Sequence, residues 1–351
     1  MQTLNKGEWA EFYAFIKLLA DGRVYYGDEG LNIVENKYFD IDKILKTRGK
    51  LDQIFYITDK NIKFENSEIS RDDLKNSANK IFREILLGAK TFSIEEAEKL
   101  KTLFNLERFS EPSSVKSDIR LSLIDSISKD SDIYGFSIKT KLKAKSTLIN
   151  SSGNSTGFRY KIEGFSQSLM KDINKIEGRS KVNDRIAKIL DSGCKIFFSE
   201  TTSQKYQTNL KMVDTSLDLI IGEMLLSSYI ENKKVLKEAI KTSIFTKFFQ
   251  SLKLSEQSII YKIKNFLYIS ATGMTPSKIW DGENEVDGGI IVVKASGDLV
   301  GYFIFSLNKF KEYLWQNTYF ETPSTTRHDF GYVYKENGDY YFDLNLQVRF
   351  R

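Results

Sequence analysis

Residues 117–146, SDIRLSLIDSISKDSDIYGFSIKTKLKAKS, contain two alternating segments joined by a polar turn. Apolar side chains occupy every second position from Ile119 to Leu123, and the chain alternates again between residues 135 and 145. Because side chains alternate across a β-strand, each segment predicts a strand with one apolar face. The polar KDSD between them favours a turn, so we expect the two strands to form a hairpin.

The second strand carries a row of positive charge on its polar face. Ser137 comes first, and lysines follow at every second position: Lys139, Lys141, Lys143 and Lys145. Ammonium groups in such a row repel one another unless an anion lies between them. The arrangement therefore predicts a polyanionic partner, and we expect the last three lysines to contact the phosphates of DNA.

Acidic residues that could serve a nuclease lie near this strand. Hydrolysis of a phosphodiester needs a hydroxide near neutral pH and a positive charge that stabilises the developing phosphorane, and Mg²⁺ supplies both. We expect Asp118 to bind the metal and Lys139 to orient the water. Glu8 and Glu11 share a face of the first predicted helix and can approach the site. Acids in a first helical turn are also favoured by the helix dipole alone.

Composition narrows the chemistry. The chain has 351 residues, a formal charge of +5, one cysteine and one histidine. The single cysteine, Cys194, excludes an internal disulfide and a cysteine-rich zinc site. The single histidine, His328, lies far along the chain, so catalysis is expected to depend on carboxylates, lysine and a hard cation. A mildly basic protein can bind nucleic acid, although the net charge does not require it.

The sequence gives no sign of membrane association. Its first residues lack the basic-then-apolar order of a signal peptide. No apolar run reaches the roughly 18 residues of a membrane span. We therefore expect a soluble, cytoplasmic protein with no membrane partner.

The remaining patterns predict an α/β (mixed α+β) fold. A helix is expected from Asn5, a suitable N-cap, to Gly22, and short strands are expected over residues 23–66. Helical segments dominate after residue 165, followed by two hairpins near the C-terminus. We expect a central sheet flanked by helices, with residues 1–165 as an N-terminal catalytic core. Residues 166–351 are expected to form a helical and β-hairpin part that contributes to DNA recognition.

Two polar loops could read DNA bases. Arg327 and His328 lie in one loop, and an arginine bound to guanine is the commonest contact in the major groove. The second loop follows the lysine strand and contains Asn150, Ser152 and Asn154. Solvated turns have the same composition, so that interpretation also stays open.

A weaker candidate site lies in EVDGGIIVVK, where Asp287 and Lys294 occupy a similar strand context. Its paired glycines suit a bulge or a turn. No acid-x-lysine pattern follows on the next strand, and we therefore favour Asp118 and Lys139.

An ordered set of stretches resembles the HpaII-type restriction endonucleases along essentially the whole chain. They are LNKGEWAEFYAFIKLL, SDIRLSLID, YGFSIKTKL, STLINSSGNSTGFRYKI, ETPSTTRHDFG and LNLQVRF. The resemblance implies a type II endonuclease of the PD-(D/E)xK superfamily that depends on Mg²⁺. The member that names the family cuts within CCGG, so the resemblance implies this target.

The resemblance also implies roles for individual residues. Asp118 is similar to the first acid of the superfamily, Lys139 to its lysine, and Glu8 or Glu11 to the acid on its first helix. The second acid would fall at Ser137, and serine is a poor metal ligand.

This departure leaves the metal ligands open. The ion could be held by Asp118, a helix glutamate, the Ile138 carbonyl and water. Asp125 is an alternative ligand.

Three functions fit these features. The first is a site-specific endonuclease for double-stranded DNA, and the alternative is a non-catalytic, sequence-specific DNA-binding protein. An enzyme for a small phosphorylated substrate is the third, although neither GxxxxGK[ST] nor GxGxxG occurs. A palindromic target suits a two-fold homodimer, and a monomer that nicks each strand in turn would also serve. A companion DNA methyltransferase is expected of the class.

Overall fold

The chain divides into two compact units, each built from two segments. A computed structural model describes residues 1–28, 31–48, 51–109, 116–124, 128, 130–142, 146–150, 153–322, 325 and 330–351. The first unit comprises Met1–Ser146 and Asn284–Phe310, and the second comprises Thr147–Glu283 and Lys311–Arg351. The division of catalysis and recognition between residues 1–165 and 166–351 stays a prediction.

Within the described residues, the first unit contains three complete α-helices, the start of a later helix, and most of the strands. Its helices are α1 (Lys6–Asp21), α2 (Arg71–Leu87) and α3 (Glu95–Leu103). Its strands are β1 (Leu4–Asn5), β2 (Arg23–Gly27), β3 (Ile33–Arg48), β4 (Leu51–Ile57), β5 (Asn61–Phe64), β6 (Ser67–Ser70), β7 (Thr91–Phe92), β8 (Ile119–Ile124), β9 (Ser131–Thr140), β13 (Gly289–Val293) and β14 (Leu299–Phe303).

The strands of the second unit are β10 (Thr147–Ile149), β11 (Gly157–Glu163), β12 (Lys195–Thr201), β15 (Thr318–Phe320), β16 (Val333–Glu336), β17 (Asp339–Asn345) and β18 (Val348–Phe350). Its helices are α4 (Gln167–Asn174), α5 (Lys181–Asp191), α6 (Gln204–Val213), α7 (Leu217–Ile230), α8 (Leu236–Ala239), α9 (Ser243–Ser251) and α10 (Glu256–Thr272). Helix α11 (Leu307–Asn317) spans the division between the units. The sheet orders are β10-β18-β15 and β12-β11-β17-β16. The mixed α+β class predicted from the sequence is confirmed.

One large sheet organises the first unit. Its order is β2-β14-β13-β9-β8-β3-β4-β5-β6, and β2 also pairs with β3. The long strand β3 thereby closes a ring of six strands and then continues into the pairing with β4. Strand β9 is one of the six strands of this ring, antiparallel to β8 and parallel to β13. Its middle residues therefore have a neighbouring strand on both sides.

Helix α1 forms the centre of the core of the first unit. The side chain of Asn5 accepts hydrogen bonds from the amides of Gly7 and Glu8, and Gly22 ends the helix in the left-handed conformation with φ 63°. The predicted cap and stop are thus confirmed. Trp9, Phe12, Phe15 and the neighbouring apolar side chains are buried almost completely. This helix consequently places its few polar side chains at fixed positions.

The predicted β8–β9 hairpin is confirmed, with Ile119 paired with Phe136 and Ile124 paired with Ser131. The predicted extent of the second strand is wrong, because β9 ends at Thr140 instead of continuing to residue 145. Ser146 explains the early end: its hydroxyl accepts from the Thr140 amide and donates to the Thr140 carbonyl, each at 2.8 Å. A side chain that bonds to the main chain in this way competes with strand pairing.

Among the helices that the structure describes, none is long and apolar enough to cross a membrane.

Gly135 tests the packing around the start of β9. A Cβ atom there would lie 2.4 Å from the Glu285 carbonyl oxygen and 3.1 Å from the Ser117 Cβ. We expect Gly135→Ala to lower the free energy of unfolding by about 1–3 kcal/mol, because the main chain must move. Urea denaturation measures the change. Ile133→Ala on the same strand is the control, since Ile133 is exposed; an equal or smaller loss in Gly135→Ala would contradict the packing described.

Candidate active site

Asp118 lies at the start of β8 and is bonded to β9 through its main chain and its side chain. Its amide donates to the Phe136 carbonyl at 2.8 Å. Its Oδ2 accepts from the Ile138 amide at 2.6 Å and from the Ser137 hydroxyl at 3.0 Å. These bonds fix the carboxylate against the middle of β9.

Lys139 follows on the same strand and completes the predicted pair. Its Nζ lies 4.0 Å from Asp118 Oδ2, and about a fifth of each side chain is exposed, 21% and 18%. The ammonium group is therefore held near the carboxylate while both remain accessible to a substrate or to water. The structure brings together Asp118, Ser137, Ile138 and Lys139, as the sequence predicts.

Glu11 belongs to the same electrostatic group. Burial, and next the negative charge of Asp118, raise the pKa of Glu11 from 4.5 to about 8, while Lys139 and Lys46 act in the opposite direction. A carboxyl group in this setting holds a proton at neutral pH until a cation compensates its charge. Helix α1 thus contributes an acid to the site formed by β8 and β9.

Glu8 has a different local role. Its Oε2 accepts from the Asn5 amide at 2.8 Å, and its own amide donates to Asn5 Oδ1 at 3.1 Å. This reciprocal pair is a capping box, which stabilises the start of α1. Of the two candidate glutamates, Glu8 is engaged at the helix terminus and Glu11 interacts with Asp118.

The donor set fits a hard divalent cation. Within the described residues, no group of three or more acidic, histidine or cysteine side chains is arranged to hold a metal. The negative charge of Asp118 raises the pKa of Glu11, so these two carboxyl groups act on each other electrostatically. Mg²⁺ is commonly held by one or two carboxylates and keeps several waters, so this set suits it. The Ile138 contact described involves its amide, and its carbonyl remains a predicted ligand.

Lys46 is a site residue that the sequence analysis did not identify. It lies on β3, is only 4% exposed, and its Nζ donates to the main-chain carbonyl of Asp118 at 3.4 Å. The sequence offered no signal for it, because lysine is common in alternating strands and the pairing of β3 with β8 was unknown.

The second candidate pair, Asp287 and Lys294, is not joined in the same way. Asp287 Oδ1 accepts from the Gly135 amide at 2.6 Å, and Lys294 Nζ lies 3.9 Å from Asp298 Oδ2. The two residues flank β13 and contact different partners. Asp287 thus contributes to the packing of β9 beside the favoured site.

Several predicted DNA-binding positions lie outside the described residues: Lys143, Lys145, Ser152, Arg327 and His328. Asp125, the substitute metal ligand, is also outside them. Lys141 is described, and its amide donates to the Val293 carbonyl at 2.9 Å. Asn154 lies in a 3₁₀ turn, Gly153–Thr156, and its side chain is outside the described part.

Asn150 follows β10 in the second unit. Its Oδ1 lies 3.4 Å from Nε2 of Gln347, a donor on the neighbouring chain segment. Gln347 is 5% exposed and precedes β18, which pairs with β10. The C-terminal segment therefore contacts Asn150, which sequence alone did not suggest.

Two comparisons with known proteins give matches over nearly the whole chain. The model of the HpaII restriction endonuclease family matches residues 5–350. A curated relative, the type II restriction enzyme HpaII of Haemophilus parainfluenzae, is 33% identical over 366 aligned residues. The alignment covers 99% of this chain and 98% of that relative. No solved structure matches the chain.

The raised pKa of Glu11 predicts a pH-dependent stability of the metal-free protein. The folded pKa of about 8 exceeds the ordinary 4.5, so between these values the folded protein binds a proton that the unfolded chain has released. Stability is therefore lost as the pH rises through this window, by up to about 1.4 kcal/mol per pH unit. Glu11→Gln removes this term, and its free energy of unfolding should increase relative to the parent protein from pH 5 to pH 8. Urea titrations in EDTA measure it; parallel pH curves would refute it.

Proposed function

This chain belongs to the HpaII restriction endonuclease family and is a type II site-specific deoxyribonuclease, and we propose that it cuts duplex DNA with a Mg²⁺ ion held by Asp118 and Glu11. The observation that carries the site assignment is the contact of Asp118 with Ser137, Ile138 and Lys139. Family membership sets aside the alternative of a DNA-binding protein without catalytic activity.

The protein residues of the proposed site have distinct tasks. A bound Mg²⁺ would supply Lewis acidity and a water of lowered pKa near the scissile phosphate. The Ile138 amide and the Ser137 hydroxyl orient Asp118, so one carboxylate oxygen is engaged by β9. Lys139 holds and orients the attacking water and offsets the negative charge that develops on the phosphoryl oxygens.

We propose that the site follows the PD-(D/E)xK pattern with one departure, which is Ser137. It replaces a carboxylate with a neutral hydroxyl that donates to Asp118. The site thereby has one negative charge fewer, and Glu11 becomes the second acid. Its pKa of about 8 is consistent with this role, since a divalent cation would displace its proton.

We further propose CCGG as the target, on the basis of the family. Arg327 and His328 carry donors suited to guanine edges, and Asn150, Ser152 and Asn154 form a second candidate recognition loop. Lys141, Lys143 and Lys145 would contact phosphates and add a salt-dependent, sequence-independent contribution to binding.

The biological setting follows from the same proposal. Cleavage of both strands of a palindrome suits a homodimer, in which two copies of the site are related by two-fold symmetry. A companion methyltransferase would protect the host DNA, and both proteins would act in the cytoplasm.

Substitutions at Asp118 and Lys139 test the active site. We expect Asp118→Ala to abolish cleavage through loss of a metal ligand, and Lys139→Ala to slow it by about 10²–10⁴-fold, as for loss of a residue that assists proton transfer. Both should still bind target DNA in Ca²⁺, measured by gel shift. Asp298→Ala is the matched control, because the Asp298 side chain is 46% exposed and its carboxylate is paired with Lys294. Normal cutting by the first two variants would show that the site is elsewhere.

Digestion of a plasmid of known sequence tests the target and the metal. We expect discrete fragments with Mg²⁺ and none with EDTA. Sequencing of the fragment ends gives the site and the cut position together. Ends within CCGG would support the proposed target, whereas other discrete ends would retain the enzyme and reject CCGG.

A further inference from the structure

Lys46 is a buried cation at the proposed catalytic centre. It is 4% exposed, whereas lysine is almost never fully buried without a partner. Removing an ammonium group from water costs several kcal/mol, so its position requires compensating contacts. Those contacts identify what the residue does.

The ammonium group of Lys46 lies near an aromatic ring and a main-chain carbonyl. Its Nζ is 5.9 Å from the centroid of the Phe15 ring and 3.4 Å from the Asp118 carbonyl oxygen. Gln53 is paired with Lys46 on β4, and its Nε2 donates to the Phe104 carbonyl at 2.5 Å. The charge of Lys46 is therefore held at the Asp118 main chain, next to the aromatic core.

Lys46 contacts one proposed metal ligand directly and acts on the other through its charge. Its Nζ donates to the main chain of Asp118, and its positive charge opposes the rise in the pKa of Glu11 that burial causes. Glu11 and Phe15 are four residues apart on α1 and therefore neighbours on one helical face. The Lys46 ammonium group, near the Phe15 ring, thus lies close to the helix face that carries Glu11.

The charges support a specific task. Before a cation binds, Glu11 holds its proton, so the negative charge of the site comes from Asp118, and Lys46 and Lys139 both supply positive charge near it. Ser137 is neutral and adds no charge. Lys139 contacts the carboxylate of Asp118, whereas Lys46 contacts its carbonyl.

We propose that Lys46 is a positioning residue for cleavage, which fixes the main chain of Asp118 and thereby the direction of its carboxylate relative to Glu11. This inference rests on the proposed assignment of Asp118 and Glu11 to the active site. It differs from a purely structural role because the contact is made to the active-site residue itself.

The test compares Lys46→Met with Lys46→Arg. Methionine keeps an apolar stem but removes a buried charge and its donor, so urea denaturation of Lys46→Met establishes that the variant is folded before its activity is compared. Arginine retains the charge and the donors that reach the carbonyl. Lys37→Met is the control, since Lys37 is an exposed lysine on the same strand.

Two measurements separate positioning from folding. At saturating Mg²⁺, we expect Lys46→Met to lower kcat by about 10–100-fold, as for other residues that orient a ligand, with KM for DNA within about twofold. In the metal-free protein, NMR hydrogen exchange at the Ile138 amide, which donates to Asp118 Oδ2, should be faster in Lys46→Met than in the parent protein. Amides of β4 and β5 should keep their protection. Lys46→Arg should restore part of both properties.

The outcomes are distinguishable. If Lys46→Met cuts at the normal rate, or if exchange rises equally throughout the first unit and Lys46→Arg gives no rescue, the positioning role is wrong. Asp118→Asn is measured in parallel. Normal cutting by Asp118→Asn would instead reject the proposed site, whereas an inactive Asp118→Asn with normal Lys46→Met would reject only the role of Lys46.

Discussion

The hydrogen bond from the Ile138 amide to Asp118 Oδ2 is the contact on which the candidate site depends. It joins the start of β8 to the middle of β9, and the Asp118 amide donates back to Phe136 on the same strand. Because β9 is also paired with β13, its middle cannot shift without breaking a second ladder. The position of Lys139, one residue after Ile138, is thereby set relative to Asp118. A charge-assisted bond of this kind is stronger than a neutral one, so the geometry is maintained before substrate binds.

Ser137 changes the electrostatics of the site more than its shape. A carboxylate at this position would stand close to Asp118, and two like charges would raise the pKa of one of them. The serine hydroxyl instead donates a hydrogen bond to Asp118 and brings no second negative charge. The repulsion between acids at this site is instead the one between Asp118 and Glu11, and Glu11 is supplied by the helix. The site therefore keeps two acids while their separation is controlled by the packing of α1 on the sheet.

Local patterns were sufficient to predict the elements that carry the site. Alternation identified β8 and β9, and Asn5 and Gly22 identified the ends of α1, because these signals act within a few residues. The pairing of β9 with β13 joins segments about 150 residues apart, and no local pattern encodes such a partner. For the same reason, local patterns did not predict the closed ring of strands or the position of Lys46 beside Asp118. The predicted strand end also failed, since alternation continued past Thr140 while Ser146 bonded to its main chain.

Helix α1 links the chemistry of the site to the stability of the fold. The helix is surrounded by apolar side chains, so Glu11 is placed where an ionised carboxylate is poorly solvated. Ionisation of Glu11 lowers the free energy of unfolding when no cation is present. When a cation binds, the cost of ionising Glu11 makes the binding less favourable instead. A divalent ion that compensates Glu11 and Asp118 would bind the folded chain alone, because the unfolded chain does not bring these acids together. An acid on a buried helix thus makes metal binding and folding interdependent, which an acid on an exposed loop would not do.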